Sequence, residues 1–335
     1  HSNLTSGLDL TTARPLSQNR SSSFFGLCLA GRFAVPTVTA QIWLRQPNPH
    51  GQPNSDVVKP IWNGRDITDG WKGRWVVDFG PSMSEGGAAL YEAPFEHIVV
   101  HVKPVRLSNN RKARAVYWWR HGETRPGLRR KLDGLSRYIV TSETARHRVF
   151  VWLPASVLPE HKLVVIPRED DVTFGILSSR FHVSWATSQG SRLGVGNDPV
   201  YNTAVCFETF PFPEGMTPND PAAEVLAHPL APAIADAARE LNQLRENWLN
   251  PPDLVHRVPE VVPGFPDRIL PNDDRAAAIL KKRTLTNLYN ERPTWLRNAH
   301  ASLDSAVAAA YGVPPEISDD DALAHLLALN HTRAR

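Results

Sequence analysis

The tetrapeptide Asn250-Pro251-Pro252-Asp253 is the first group in this chain whose types and spacing could do chemistry. In an Asn-Pro-Pro-aromatic loop, the Asn side chain and a backbone carbonyl accept hydrogen bonds from an exocyclic amine while the ring stacks on the extruded base. Here the fourth residue is Asp, which cannot stack, and a predicted helix precedes the tetrapeptide where a strand is needed. Proline termination of that helix accounts for it better. Asp78-Phe79-Gly80, Gly86-Gly87 and Gly194-Val195-Gly196 lack the strand, glycine, helix and acidic spacing of a cofactor loop, so they read as turn glycines. The 13 histidines form no His-Glu-x-x-His. Cys28 and Cys206 lie too far apart to found a zinc site or a disulfide scaffold. No serine sits in a nucleophile elbow. No self-contained catalytic centre is legible.

The charges say more. The chain carries 37 Lys and Arg against 34 Asp and Glu, a net +3, yet residues 101–150 hold 13 basic and only 3 acidic residues. A basic segment in a balanced chain is the footprint of a phosphate-contacting surface; a solvated face is the alternative. The candidate phosphate contacts are Lys103, Arg106, Arg111, Lys112, Arg114, Arg129, Arg130, Lys131, Arg146 and Arg148. Base edges are read by Arg on guanine, Asn or Gln on adenine, and carboxylates on cytosine. Gln189, Arg192, Asn197, Asp198 and Asn202 gather such side chains in one glycine-rich loop, the candidate base-reading segment. Tyr117-Trp118-Trp119 could stack on bases, although core packing is the better account, and Trp75, Trp152 and Trp185 belong to the core. His121 and His147 read as packing residues.

These residues need elements to hold them. Short β-type runs at 74–79, 97–102, 138–140, 148–153 and 163–166 alternate irregularly with predicted helices at 84–97 and 171–187. Beyond Phe210-Pro211-Phe212-Pro213 the composition turns helical: 222–248 with its early part broken by Pro229 and Pro232, then 273–290, 294–311 and 318–330. The passage 258–271 reads as extended. The expected class is α+β, a mixed-sheet domain over 21–215 and a mainly helical one over 216–335, after a polar linker remnant at 1–20. Apolar runs such as Val149-Phe150-Val151-Trp152-Leu153 are far too short to cross a bilayer, and no signal-peptide core is present. A cytoplasmic setting is expected. The start at His1 rather than Met predicts a fragment.

Several strings, in order, resemble the C-terminal half of the large single-chain DNA methyltransferases related to the MmeI type IIL restriction-modification enzymes. They include Trp62-Asn63-Gly64-Arg65-Asp66, Trp75-Val76-Val77-Asp78-Phe79-Gly80, Tyr91-Glu92-Ala93-Pro94-Phe95-Glu96 and Trp118-Trp119-Arg120-His121-Gly122-Glu123. Phe174-Gly175-Ile176-Leu177-Ser178-Ser179-Arg180, Cys206-Phe207-Glu208-Thr209-Phe210-Pro211-Phe212-Pro213 and Thr284-Leu285-Thr286-Asn287-Leu288-Tyr289-Asn290 continue the series. The resemblance implies a target-recognition domain followed by a helical domain. It implies a parent enzyme that methylates adenine N6 from S-adenosylmethionine, with duplex DNA and a catalytic methyltransferase domain or subunit as partners. The family's cofactor glycines and Asn-Pro-Pro-aromatic loop are missing here, so no cofactor is expected in this chain. Two alternatives stay open: a module docking a separate methyltransferase subunit, and a complete enzyme with an unrecognised site.

Overall fold

The computed structural model describes residues 8–193 and 198–334. Its first part contains β1 (Phe24–Phe25), β2 (Ala34–Pro36), α1 (Thr37–Arg45), β3 (Val58–Trp62), α2 (Gly64–Asp69) and β4 (Arg74–Val77). Five short helices follow: α3 (Glu85–Ala89), α4 (Glu92–His101), α5 (Lys103–Leu107), α6 (Lys112–Val116) and α7 (Pro126–Leu132). The chain then forms β5 (Arg137–Ser142), β6 (Phe150–Pro154), β7 (Leu158–Pro159) and β8 (Leu163–Ile166). Helices α8 (Asp171–Ser178) and α9 (Arg180–Gln189) lead into a hairpin of β9 (Arg192–Leu193) and β10 (Asp198–Pro199). The remainder is α10 (Ala222–Ala227), α11 (Ala231–Leu249), a second hairpin of β11 (Val255–Val258) and β12 (Arg268–Pro271), α12 (Asp274–Leu280), α13 (Leu285–Glu291), α14 (Thr294–Ala310) and α15 (Asp319–Arg333). The class is α+β, as the irregular pattern predicts.

Two four-stranded sheets organise the molecule. One runs β2-β4-β3-β7, antiparallel except where β3 meets β7 in parallel. Its core gathers Phe33, Val58, Ile61, Trp75, Val77, Phe79, Ile98, Trp118 and Trp119 with the helices α3 to α5. The other runs β1-β8-β5-β6, antiparallel throughout. Both β5 and β8 are almost wholly buried, so they read as continuous apolar runs rather than alternating ones. One core joins this sheet to α8, α9 and the later helices, through Phe174, Phe207, Phe210, Phe212, Leu241, Leu303 and Leu326. Each fully buried Phe of that set contributes roughly 2 kcal/mol of apolar transfer. Gly175 permits the approach of α8 to its partners, because a Cβ there would stand 2.8 Å from Ile234 and 3.1 Å from Ala238.

Several elements differ from the periodicity. The run at 97–102 is the end of helix α4 and its cap, not a strand, and the predicted helix at 84–97 breaks between α3 and α4. Ser84 caps α3 by accepting from the Gly87 amide. The predicted helix at 171–187 starts at the Asp170 cap but breaks at Ser179, whose backbone is extended. Asp304 of α14 accepts the Arg180 amide at 2.7 Å, so a distant carboxylate fixes the break. The predicted helix at 273–290 splits where Thr284 caps α13. Thr203–Phe207 forms a π-helical turn capped by Asn202. Residues 255–271 form a β-hairpin, with the extended passage as its second half. The polar N-terminal segment is tied down by amides: Asn19 donates to the carbonyls of Phe207, Glu208 and Phe210, and Asn330 on α15 exchanges hydrogen bonds with Arg14.

Candidate nucleic-acid interface

The basic segment spans α5, α6, α7 and the loop joining β5 to β6. Pro104 opens α5, Asn109 turns the chain by accepting the Arg111 amide, and Pro126 opens α7. Arg130 and Lys131 end α7, where cations complement the carbonyl end of the helix dipole. Arg111, Lys112, Arg130, Lys131 and Arg146 are exposed, and Arg114 is half-buried. Among the described residues none of these six side chains has an ion-pair partner. They come from three segments, at 111–114, 130–131 and 146.

The other four candidates are committed to the protein. Lys103 lies 3.7 Å from Glu85 and 4.5 Å above the Trp118 ring. Arg129 forks onto both Asp78 oxygens at 2.8 and 2.9 Å and donates to the Thr124 carbonyl. Burial opposes ionisation of Asp78, but the neighbouring charges of His121 and Arg129, the Arg129 fork and the Gly80 amide outweigh it, holding the carboxyl below its ordinary range. Arg106 is 1% exposed and Arg148 8%. The expectation that Arg148 meets phosphate is corrected, because its guanidinium serves a hydroxyl and backbone carbonyls inside the fold. Arg106 donates inward through Nη2 alone, to the carbonyls of Leu29 and Arg120.

Arg148 shows what such a guanidinium does. It donates to the Thr141 hydroxyl at 3.0 Å, to the Ser142 carbonyl, and to the Pro199 carbonyl at 3.1 Å. Burial lowers its pKa to about 10, so it stays charged at neutral pH. Those bonds join the β5–β6 loop to β10. The Tyr201 amide reinforces the link by donating to the Glu143 carbonyl at 2.7 Å. Exposed Arg146 is therefore held beside the hairpin that carries the base-reading candidates.

In that hairpin Leu193 pairs with Asp198 and Arg192 with Pro199. Arg192 is exposed, while Asp198 and Gln189 are half-buried. Asn202 is exposed, yet its side chain accepts the Ala204 amide, which commits one of its groups to the turn. Asn197 lies outside the described residues. The structure thus sets Arg192 and Asp198 on adjoining strands, with Gln189 and Asn202 at their two ends.

Among the aromatics, Trp118 and Trp119 are core residues whose indoles donate to Glu85 and the Met83 carbonyl, while Tyr117 is exposed. His121 is buried against Phe33 and pairs through Nε2 with the Val77 carbonyl. Arg120 was not singled out in the sequence. Its guanidinium donates to the Met83 carbonyl and lies 4.7 Å from the Tyr117 ring centre. It lines an open cleft of about 250 Å³ with Arg106 and Arg114. The Tyr-Trp-Trp-Arg run was the signal, since an arginine one and three residues beyond aromatic rings can lie on them.

Among the described residues, neither Asp78-Phe79-Gly80 nor Asn250 fits S-adenosylmethionine; Gly194-Val195-Gly196 lies outside the described residues. Both Asp78 oxygens are occupied by Arg129, and Gly80 is a turn residue at φ 66° with no cofactor-type helix start behind it. Asn250 ends α11 and donates to Glu246 on the same helix. Among the described residues no three His, Cys, Asp or Glu side chains gather as a metal site, and no helix is long and apolar enough to cross a membrane.

The fold is a two-sheet α+β body that carries outward cations and a short polar hairpin. Residues 48–214 match the MmeI target recognition domain, and over that span the chain belongs to this family. A solved structure of the Type IIL restriction-modification enzyme MmeI in complex with DNA superposes with a TM-score of 0.65 at 18% identity. The match covers 96% of this chain and 36% of that one, so this chain spans about a third of the enzyme's length, and the likeness is one of fold. No curated protein matches the chain.

Proposed function

We propose that this chain reads duplex DNA by sequence, as the target-recognition part of a restriction-modification enzyme that methylates adenine N6. The family match over 48–214 carries this reading, because it covers both the outward cations and the polar hairpin. Arg111, Lys112, Arg114, Arg130, Lys131 and Arg146 hold the phosphate backbone and set register without reading sequence. Arg192 and Asp198, with Gln189, Asn197 and Asn202, reach base edges. Recognition belongs to residues 21–215; residues 216–335, packed through α11 and α14 onto α8, brace that surface. Methyl transfer and its S-adenosylmethionine belong to a catalytic domain or subunit that partners this chain in the cytoplasm.

The test is fluorescence anisotropy of the chain with a randomised duplex pool across a salt series, with and without S-adenosylmethionine. Expected are steep salt dependence, enrichment of one sequence, and no response to the cofactor. Absence of duplex binding at low salt removes the reading for this chain. It would favour the docking alternative, in which binding emerges only with the catalytic partner.

A further inference from the structure

We propose that the cleft between α5, α6 and the 120–124 segment is a binding site for a phosphate group, formed by Arg106, Arg114 and Arg120. Three guanidiniums line one cleft of about 250 Å³. Among the described residues none of the three has a carboxylate partner. Glu123, the acid on the cleft wall, is paired with Arg125 at 2.5 Å. His121, also on the wall, has its pKa lowered chiefly by burial, and an imidazole brings no negative charge to offset the arginines.

Arg106 makes the strongest case. Its Nη2 donates to the carbonyls of Leu29 and Arg120 at 3.0 and 3.2 Å, while Nε and Nη1 are buried without any partner. A buried ionised group with donors unmet is costly, and a native protein retains one where something else supplies the acceptors. Burial and then the Arg114 charge disfavour its charged form, a repulsion that an anion between the two would reverse. Gly122 lets the pieces close up: a Cβ there would stand 2.6 Å from that of Ala30 and 3.3 Å from Arg114 Nη2. Exposed Tyr117, with Arg120 against its ring, walls the mouth with an aromatic edge. Planar forks around an anion-sized space match a phosphate's tetrahedral oxygens better than a single carboxylate. This site does not depend on duplex recognition, since the phosphate can belong to a DNA strand or to a free phosphate or mononucleotide.

The test uses the full chain with Arg114→Gln, which loses no hydrogen bond or ion pair of the fold, and Lys281→Gln as an exposed control outside the basic segment. Calorimetric titration with inorganic phosphate at constant ionic strength should show one saturable site, weakened about tenfold or more in Arg114→Gln and unchanged in Lys281→Gln. A parallel anisotropy titration with duplex DNA separates the sources. If Arg114→Gln lowers duplex affinity and its salt slope by about one, and phosphate competes, the group comes from the DNA backbone. If duplex binding is unchanged while phosphate binding is lost, the site takes a free phosphate or nucleotide. Phosphate binding without any duplex binding removes the recognition reading and leaves this site standing. No saturable phosphate binding, or equal binding in both variants, overturns the proposal.

Discussion

Arg148 and Arg106 are both buried arginines, one in each half of the basic segment, and they end in opposite conditions. Arg148 lies between the β1-β8-β5-β6 sheet and the β9–β10 hairpin, with carbonyl and hydroxyl acceptors for both terminal nitrogens. Arg106 lies under the β2-β4-β3-β7 sheet's helices with a single nitrogen engaged and two idle. In the Arg148 half, Arg137 pairs with Asp171, Arg168 with Asp170, and Arg245 reaches the Phe150 carbonyl, while Arg146 stays exposed. Around Arg106 the cations of α6 are unpaired, and Val105, Leu107, Val116 and Tyr117 stand exposed among them. One region uses arginine to lock backbone; the other keeps arginine available to an anion. Sequence density of positive charge is the same signal in both, and only acceptor geometry separates them.

That contrast can be broken most severely at the outward cations. Replacing Arg111, Lys112, Arg130 and Lys131 together with Gln should weaken duplex binding by on the order of a hundredfold near ~0.1 M salt and flatten the salt slope by about 3 to 4, with melting unchanged. A large drop in stability instead would show that these side chains belong with the structural set. Next in size, Arg148→Met should lower unfolding free energy in urea by about 3 kcal/mol, because the Ser142 and Pro199 carbonyls lose their donor. A loss confined to DNA affinity would place Arg148 at the interface after all.

Acid should act on the helical core. Burial holds His182 down to about 3, with the Arg148 charge adding to it, and holds His300 to about 4. Unfolded histidine titrates near ~6.5, so as pH falls below that value the unfolded chain takes up protons first and stability drops. Asp304, raised by burial to about 6, works the other way, since the folded chain protonates it before the unfolded one. The net loss between pH 7 and 5 should be about 2 kcal/mol, read as a falling thermal midpoint. His300→Gln should shrink that fall, and a pH-independent midpoint would mean that these rings are hydrated. Smallest in affinity but sharpest in meaning, Arg192→Ala or Asp198→Ala should cost about 1 kcal/mol on the preferred site and relax one base position. Uniform weakening across all sequences would reassign these residues to the backbone.

Much of the helical half was legible because its signals are local. The Asp170 and Ser318 caps, each accepting an amide three residues on, sit where the side-chain types place them, whereas the Thr284 cap lies inside the helix expected over 273–290. The proline-bounded break before α11 follows from its own residues. The strands of this sheet were visible as β-branched and aromatic runs at 138–140, 148–153 and 163–166, the second beginning two residues before its strand at Phe150. The helix of 92–101 was misread in part, since β-branched Ile98, Val99 and Val100 resemble a strand until the apolar packing of Ile98 decides the matter. Charge density, the absence of a local catalytic motif and the α+β class likewise needed no more than residue types and their order.

What the tertiary structure alone decided is which charges are free. Arg148 meets an acceptor 51 residues away, Arg106 one 77 residues away, and Arg129 a carboxylate 51 residues away. Asn19 and Asn330 likewise pin a polar N-terminal segment, linker-like in composition, to carbonyls more than a hundred residues distant. A side chain's type states what it can donate; whether it must donate inward depends on which carbonyls the fold leaves unpaired beside it. Those carbonyls come from chain segments that only folding brings together, and no periodicity in the sequence encodes their position.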